Sequence, residues 1–165
     1  MKSTYTAVAL LLAGVALFVW LPLRTQNADS FRVPTRAEIE TIRNANGKSD
    51  EQIRADIDTL LGFLQPLEQR GFIKELASVF HGLGGLYFSI GMVDSAGIFT
   101  RKAANMRMGV LRAGKAEPDD LADAAGSFHN LGAIYLNSGN PSAAKVNFDT
   151  AIILYRRLGS PKISD

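Results

Sequence analysis

The chain has two histidines, His81 and His129, standing 48 residues apart. Neutral imidazole ligates zinc and moves protons near neutral pH, so a pair at matched positions first raises metal binding or acid–base catalysis. Neither histidine has an Asp, Glu or Cys three or four residues away, and one imidazole per position falls short of a closed ligand set. There is no cysteine, which removes thiolate metal sites, disulfides, a cysteine nucleophile and a lipid-modified Cys anchor. No Gly-rich stretch has phosphate-binding spacing and no Ser stands in a nucleophile elbow. Gly82, Gly84 and Gly85 fall inside a helical pattern and read as a close-contact feature. The reading is a non-enzyme with no cofactor and no metal; a His-based metal or cofactor protein is the alternative.

The histidines belong to a longer echo. Phe80-His81-Gly82-Leu83-Gly84-Gly85-Leu86-Tyr87 returns as Phe128-His129-Asn130-Leu131-Gly132-Ala133-Ile134-Tyr135, and the match continues through Gly91/Gly139, Ala96/Ala144 and Ala103/Ala151. Aromatic-x-x-Leu-Gly-x-x-Tyr, then Gly, then Ala, is the pattern of a helix-turn-helix unit that stacks on copies of itself.

The elements that must carry these residues are helices, because no segment of the soluble part alternates with period two. Thr35 and Glu38 form a capping-box signature before Ile39 and Ile42, and Asn46-Gly47 ends that short helix. Ser49 caps a longer one with Ile53, Ile57, Leu60, Leu61 and Leu64 at helical spacing, and Pro66 is expected to break or kink it. A helix from Phe72 to Ile90 ends at Gly91, and Asp94 is expected to cap its partner, which runs to about Ala113. Pro118, Asp119 and Asp120 suit the start of the next helix, Gly139-Asn140-Pro141 a turn, and the last helix reaches about Leu158.

Composition narrows the class. With 165 residues, 47% apolar and 21% charged, there is room for one folded domain and an appendage. A net charge of +2, from 18 basic and 16 acidic groups without a dominating block, lacks the footprint of a nucleic-acid binder. Arg101, Lys102, Arg107, Arg112 and Lys115, followed by Glu117, Asp119, Asp120 and Asp123, read as a solvated face rather than a docking strip.

Ala7 to Leu23 is an uncharged run between Lys2 and Arg24, with Tyr5 and Trp20 near its ends. Residues 5–23 suit a bilayer-spanning helix, which takes about 17–25 residues. A cleaved secretory signal is the rival; its only small-residue site is Ala28, with bulky Gln26 two residues earlier. The expected organisation is an anchor over 1–23, a polar linker over 24–34, and a helical domain over 35–165. That domain would lie on the periplasmic side of a bacterial inner membrane.

Within that domain, residues 77–110 and 125–158 resemble the tetratricopeptide repeat family, and 35–71 would be a degenerate hairpin capping the stack. The resemblance implies an all-α solenoid of antiparallel helical hairpins, in which Gly84, Gly132, Ala96 and Ala144 allow close approach of paired helices. Thr100 stands where the family wants an aromatic, and Met108 and Arg156 replace its closing Pro. The 48-residue period is similar to elongated repeats of kinesin light chain type. The resemblance also implies a protein-binding groove along the first helices, here Ser78, His81, Gly85, Phe88, Ser89, His129, Asn130, Ala133, Leu136 and Asn137. The family's clamp for a C-terminal carboxylate uses Lys and Arg at these positions, and none stands there. The expected function is a membrane-anchored scaffold for protein partners, subunits of a larger membrane complex.

Overall fold

The computed structural model describes residues 8–12, 15–19, 31–114 and 116–159. The chain falls into two units, Met1–Arg32 and Val33–Asp165.

In the first unit, strand β1 (Val8–Leu12) pairs antiparallel with β2 (Val15–Val19), Val8 opposite Val19 and Leu12 opposite Val15. This differs from the single helix expected over 5–23, the rest of which lies outside the described residues. A short apolar run rich in Val and Leu satisfies either pattern, since its periodicity separates helix from strand poorly. Among the described residues, no helix is long and apolar enough to cross a membrane.

Among the described residues, the regular structure of the second unit is helical throughout. Its elements are α1 (Arg36–Arg43), α2 (Asp50–Arg70), α3 (Ile73–Ser89), α4 (Val93–Arg112), α5 (Pro118–Asn137) and α6 (Pro141–Gly159). The expected capping box of Thr35 with Glu38 opens α1, and further boxes, Ser49 with Gln52 and Glu117 with Asp120, open α2 and α5. Each box satisfies backbone N–H groups that a helix start otherwise leaves unpaired. Two expectations are corrected. Pro66 does not break α2, which continues to Arg70; Leu67 just beyond it is fully buried, with Gly71 and Phe72 closing the last turn onto Glu68 and Leu67 carbonyls. Burial of that turn outweighs the local cost of proline, about 3 kcal/mol. Asp94 does not cap α4; Met92 holds that position without a side-chain bond, and Asp94 lies in the first turn, where its charge favours the helix dipole.

Helix α3 packs on α4 and α5 on α6, and α4 lies against α5, which joins the two hairpins. Helices α1 and α2 both lie on α3. The hairpin turns repeat: Gly91 and Gly139 adopt φ of 76° and 72°, a left-handed conformation costly for any residue with a Cβ. Close approach repeats as well. A Cβ on Gly132 would stand 2.6 Å from the Phe148 ring, and one on Gly84 would collide with the Thr100 hydroxyl. Leu83, Leu86, Ala96, Ala103, Leu131, Ala144 and Ala151 are buried around these contacts, so the echoed residues are those that make the core.

Candidate functional site

Arg107 of α4 is buried, 7% exposed. Its Nη1 donates to the Asp123 carbonyl at 2.9 Å and to Ser127 Oγ at 2.6 Å, both on α5, while Nη2 lies 3.7 Å from the Asp123 carboxylate. Burial pushes the guanidinium down to about 10, partly offset by Asp123. Counting Arg107 into a solvated strip was therefore wrong. The helical period turns this one member of the basic series inward, where its donors are satisfied by the following helix.

Ser127 Oγ also lies 3.3 Å from His81 Nδ1, and His81 Nε2 lies 3.5 Å from the Asn130 amide nitrogen. Burial, with Arg107 and Arg43 beside it, pushes His81 down to about 3. The imidazole is neutral at physiological pH and acts as a fixed hydrogen-bonding group. Ser127 is fully buried and its hydroxyl is engaged, so the Ser–His contact is a structural lock and not a nucleophile with its base.

Above this lock opens a recess of about 480 Å³. It is lined by Glu40 and Arg43 of α1, by Asn44, Ala45 and Asn46 after it, by His81, Gly82 and Gly85 of α3, and by Asn130 of α5. Arg43 Nη2 lies 3.7 Å from Glu40, so opposite charges and three amides line the same space. Amides present donors and acceptors at once, which matches peptide groups. Arg43 of α1 brings a guanidinium to this recess, although none of the expected first-helix positions carries Lys or Arg.

A second recess of about 260 Å³ adjoins α1, α3 and α5 and includes Ser78. Arg36 reaches Asp123 at 2.9 Å, Glu40 at 3.1 Å and Asp119 at 3.7 Å, and Lys74 bonds Asp120 at 2.8 Å. Burial works to raise the Asp120 pKa, but hydrogen bonds from Lys74 and the Glu117 N–H hold it below the usual carboxylate range. The acids that open α5 thus face Arg36 and Lys74.

The expected groove residues divide. Ser78, His81, Gly85 and Asn130 line the two recesses. Phe88, Ser89, Leu136 and Asn137 are exposed, Ala133 is half-buried, and the Ser89 hydroxyl donates to the Leu86 carbonyl. His129 is exposed and meets the Phe148 ring edge-on at 5.5 Å, so the two histidines occupy different surroundings. Among the described residues, no group of three His, Cys, Asp or Glu is placed to hold a metal ion.

No protein-family model matches the chain, and the curated proteins give no significant match. Among solved structures, BtubC (BKLC) from P. vanneervenii is similar with a TM-score of 0.59 and 24% identity, over 79% of this chain and 49% of that one. The chain thus spans about half the length of that structure, and the likeness shows a shared helical fold.

Proposed function

We propose that this chain is a protein-recognition scaffold of tetratricopeptide type, tethered to a membrane by its N-terminal apolar segment. Its role would be to dock to and steady a larger membrane complex. The observation that carries the reading is the polar recess lined by Arg43, Asn46, His81 and Asn130, which rests on the hydrogen bonds joining Arg107, Ser127 and His81. Such a base holds recognition groups in place before a partner arrives, which lowers the ordering cost of binding. The family assignment is supported by the echoed Leu-Gly-x-x-Tyr helices and the glycine contacts at Gly84 and Gly132. The tether is supported by the uncharged stretch from Ala7 to Leu23 between Lys2 and Arg24, and an extracytoplasmic placement in bacteria goes with it.

The test is gentle detergent extraction of the full chain and identification of co-purifying proteins, repeated with Arg43→Ala/Asn130→Ala and with Arg101→Ala/Arg112→Ala. Loss of a stoichiometric partner with the first pair alone is the expected result. Loss with the second pair alone would move recognition to the outer helix.

A further inference from the structure

Helix α1 packs on α3 and reaches α5 through Arg36, so it sits on the two helices that carry the expected groove. It is lightly held. Ile39, 1% exposed, is the one buried residue of its eight, and Arg36, which pairs with Asp119 and Asp123, is half exposed, a setting in which ion pairs contribute little. At the other end Lys48 donates to the Thr41 and Ile42 carbonyls and pairs with Asp56 of α2. The C-terminal end of α1 is thus tied to α2 through the turn at 44–48, while its Arg36 end rests on α5. The seat is also larger than its occupant. A recess of about 480 Å³ opens beside the C-terminal end of α1 and one of about 260 Å³ beside its N-terminal end. The smaller is lined by Glu75, Glu117, Asp119, Asp120 and Asp123, with Arg36 and Lys74 as its cations. Arg36 belongs to α1. Without α1 these acids keep Lys74, with Arg107 beside Asp123, and the seat carries an excess of negative charge.

We propose that α1 is a displaceable occupant of a docking seat, and that the partner docked there is a short basic helix of the same pattern: a polar N-cap, a cation in the first turn and a branched aliphatic residue three positions on. This rests on the scaffold reading and names the chemistry of its partner. The pattern follows from what α1 presents to the seat. Arg36, Ile39, Glu40 and Arg43 recur at three- and four-residue steps and so share one face, which closes on Ser78 and Asp123 with a gap of only about 10 Å³. Ile39 supplies the apolar anchor and Arg36 the charge that the acids of α5 require. A partner helix with the same two anchors and bulkier neighbours gains burial in the flanking recesses that α1 leaves unused. The turn at 44–48 keeps α1 beside its seat at high effective concentration, so α1 raises the threshold that a partner must pass.

The test uses the full chain in mild detergent and a fluorescent peptide of residues 33–46, the α1 sequence offered in trans. The unaltered chain is expected to bind it weakly, and Ile39→Asp, which ejects the resident helix, about tenfold or more tightly, since the seat is then open. Ile39→Ala, a milder change, should fall between the two. Circular dichroism should show no more helicity lost than α1 contributes. Arg36→Ala in the peptide should weaken binding to the Ile39→Asp chain several-fold, and should have no effect once that chain also carries Asp123→Ala. Because the chain has no cysteine, a lock can be built. A Cβ on Gly82 would stand 3.1 Å from that of Arg43, a few tenths short of the about 3.5–4.5 Å that a disulfide spans. Oxidised Arg43→Cys/Gly82→Cys should not bind the peptide, and reduction should restore binding. No binding to either Ile39 variant, binding undiminished by the disulfide, or indifference to the Arg36–Asp123 pair would each overturn the proposal, whereas co-purification with Arg43→Ala/Asn130→Ala decides the scaffold reading by itself. A chain dimeric by light scattering that trades α1 between copies would give the seat to a second copy and would overturn it too.

Discussion

Arg107 Nη1 and Ser127 Oγ lie 2.6 Å apart, and both residues are buried. The bond crosses from the first hairpin to the second, and its acceptor also touches His81. Replacing Arg107 by Met is expected to cost about 3 kcal/mol in urea unfolding, because it strands the Ser127 hydroxyl and Asp123 carbonyl without their charged donor. Arg107→Lys should recover only part of the loss, since an ammonium cannot bridge both acceptors as the planar fork does.

His81 sets a pH dependence. Its folded pKa of about 3 lies below the ordinary imidazole value of about 6.5, so the unfolded chain takes up the proton first. Its contribution is therefore fully present above about pH 6.5 and is lost as pH falls toward 3. The slope reaches at most about 1.4 kcal/mol per pH unit. Urea midpoints between about pH 6.5 and 4.5 isolate this effect from most carboxylates, and His81→Gln should flatten it.

Two glycines should respond oppositely to alanine. At Gly132 a methyl group drives into the Phe148 ring, and overpacking of this kind costs about 1–3 kcal/mol. At Gly85 an added Cβ meets nothing within 4 Å, so Gly85→Ala should gain up to about 1 kcal/mol from helix propensity. Thermal unfolding of the two variants checks both signs.

Exposed Phe88 and Leu136 lie on α3 and α5, the helices that supply His81 and Asn130. If they anchor the partner, Phe88→Ala/Leu136→Ala should release it, at about 2 kcal/mol or more per anchor, while helicity and melting stay nearly unchanged. Retention of the partner by this variant would confine recognition to the polar recess.

The helical domain was legible because its cues are local. Thr35/Glu38, Ser49, Pro118 and Gly139 mark ends that depend on neighbouring residues alone. The register at Gly84 and Gly132 followed from an echo within the chain. Pro66 and Asp94 misled because tertiary burial of Leu67 and the course of the α3–α4 turn decide those ends. The site was half legible: His81, Gly85 and Asn130 sit on repeated helices, whereas Arg43 and Asn46 come from α1 and its turn, outside the echo. Arg107 looked like one more surface cation, and only the angle between α4 and α5 reveals its acceptors.

The joint between the two hairpins has a further property. Apolar contacts such as those of Met108 and Leu111 with the Ala124–Ala125 cluster tolerate sliding and rotation, since dispersion has little directional preference. A guanidinium seated on a carbonyl and a hydroxyl does not. Arg107 therefore acts as a locating pin, setting the twist between successive hairpins to within the angular tolerance of a hydrogen bond. The contact between His81 of α3 and Asn130 of α5, both lining the recess, inherits that tolerance.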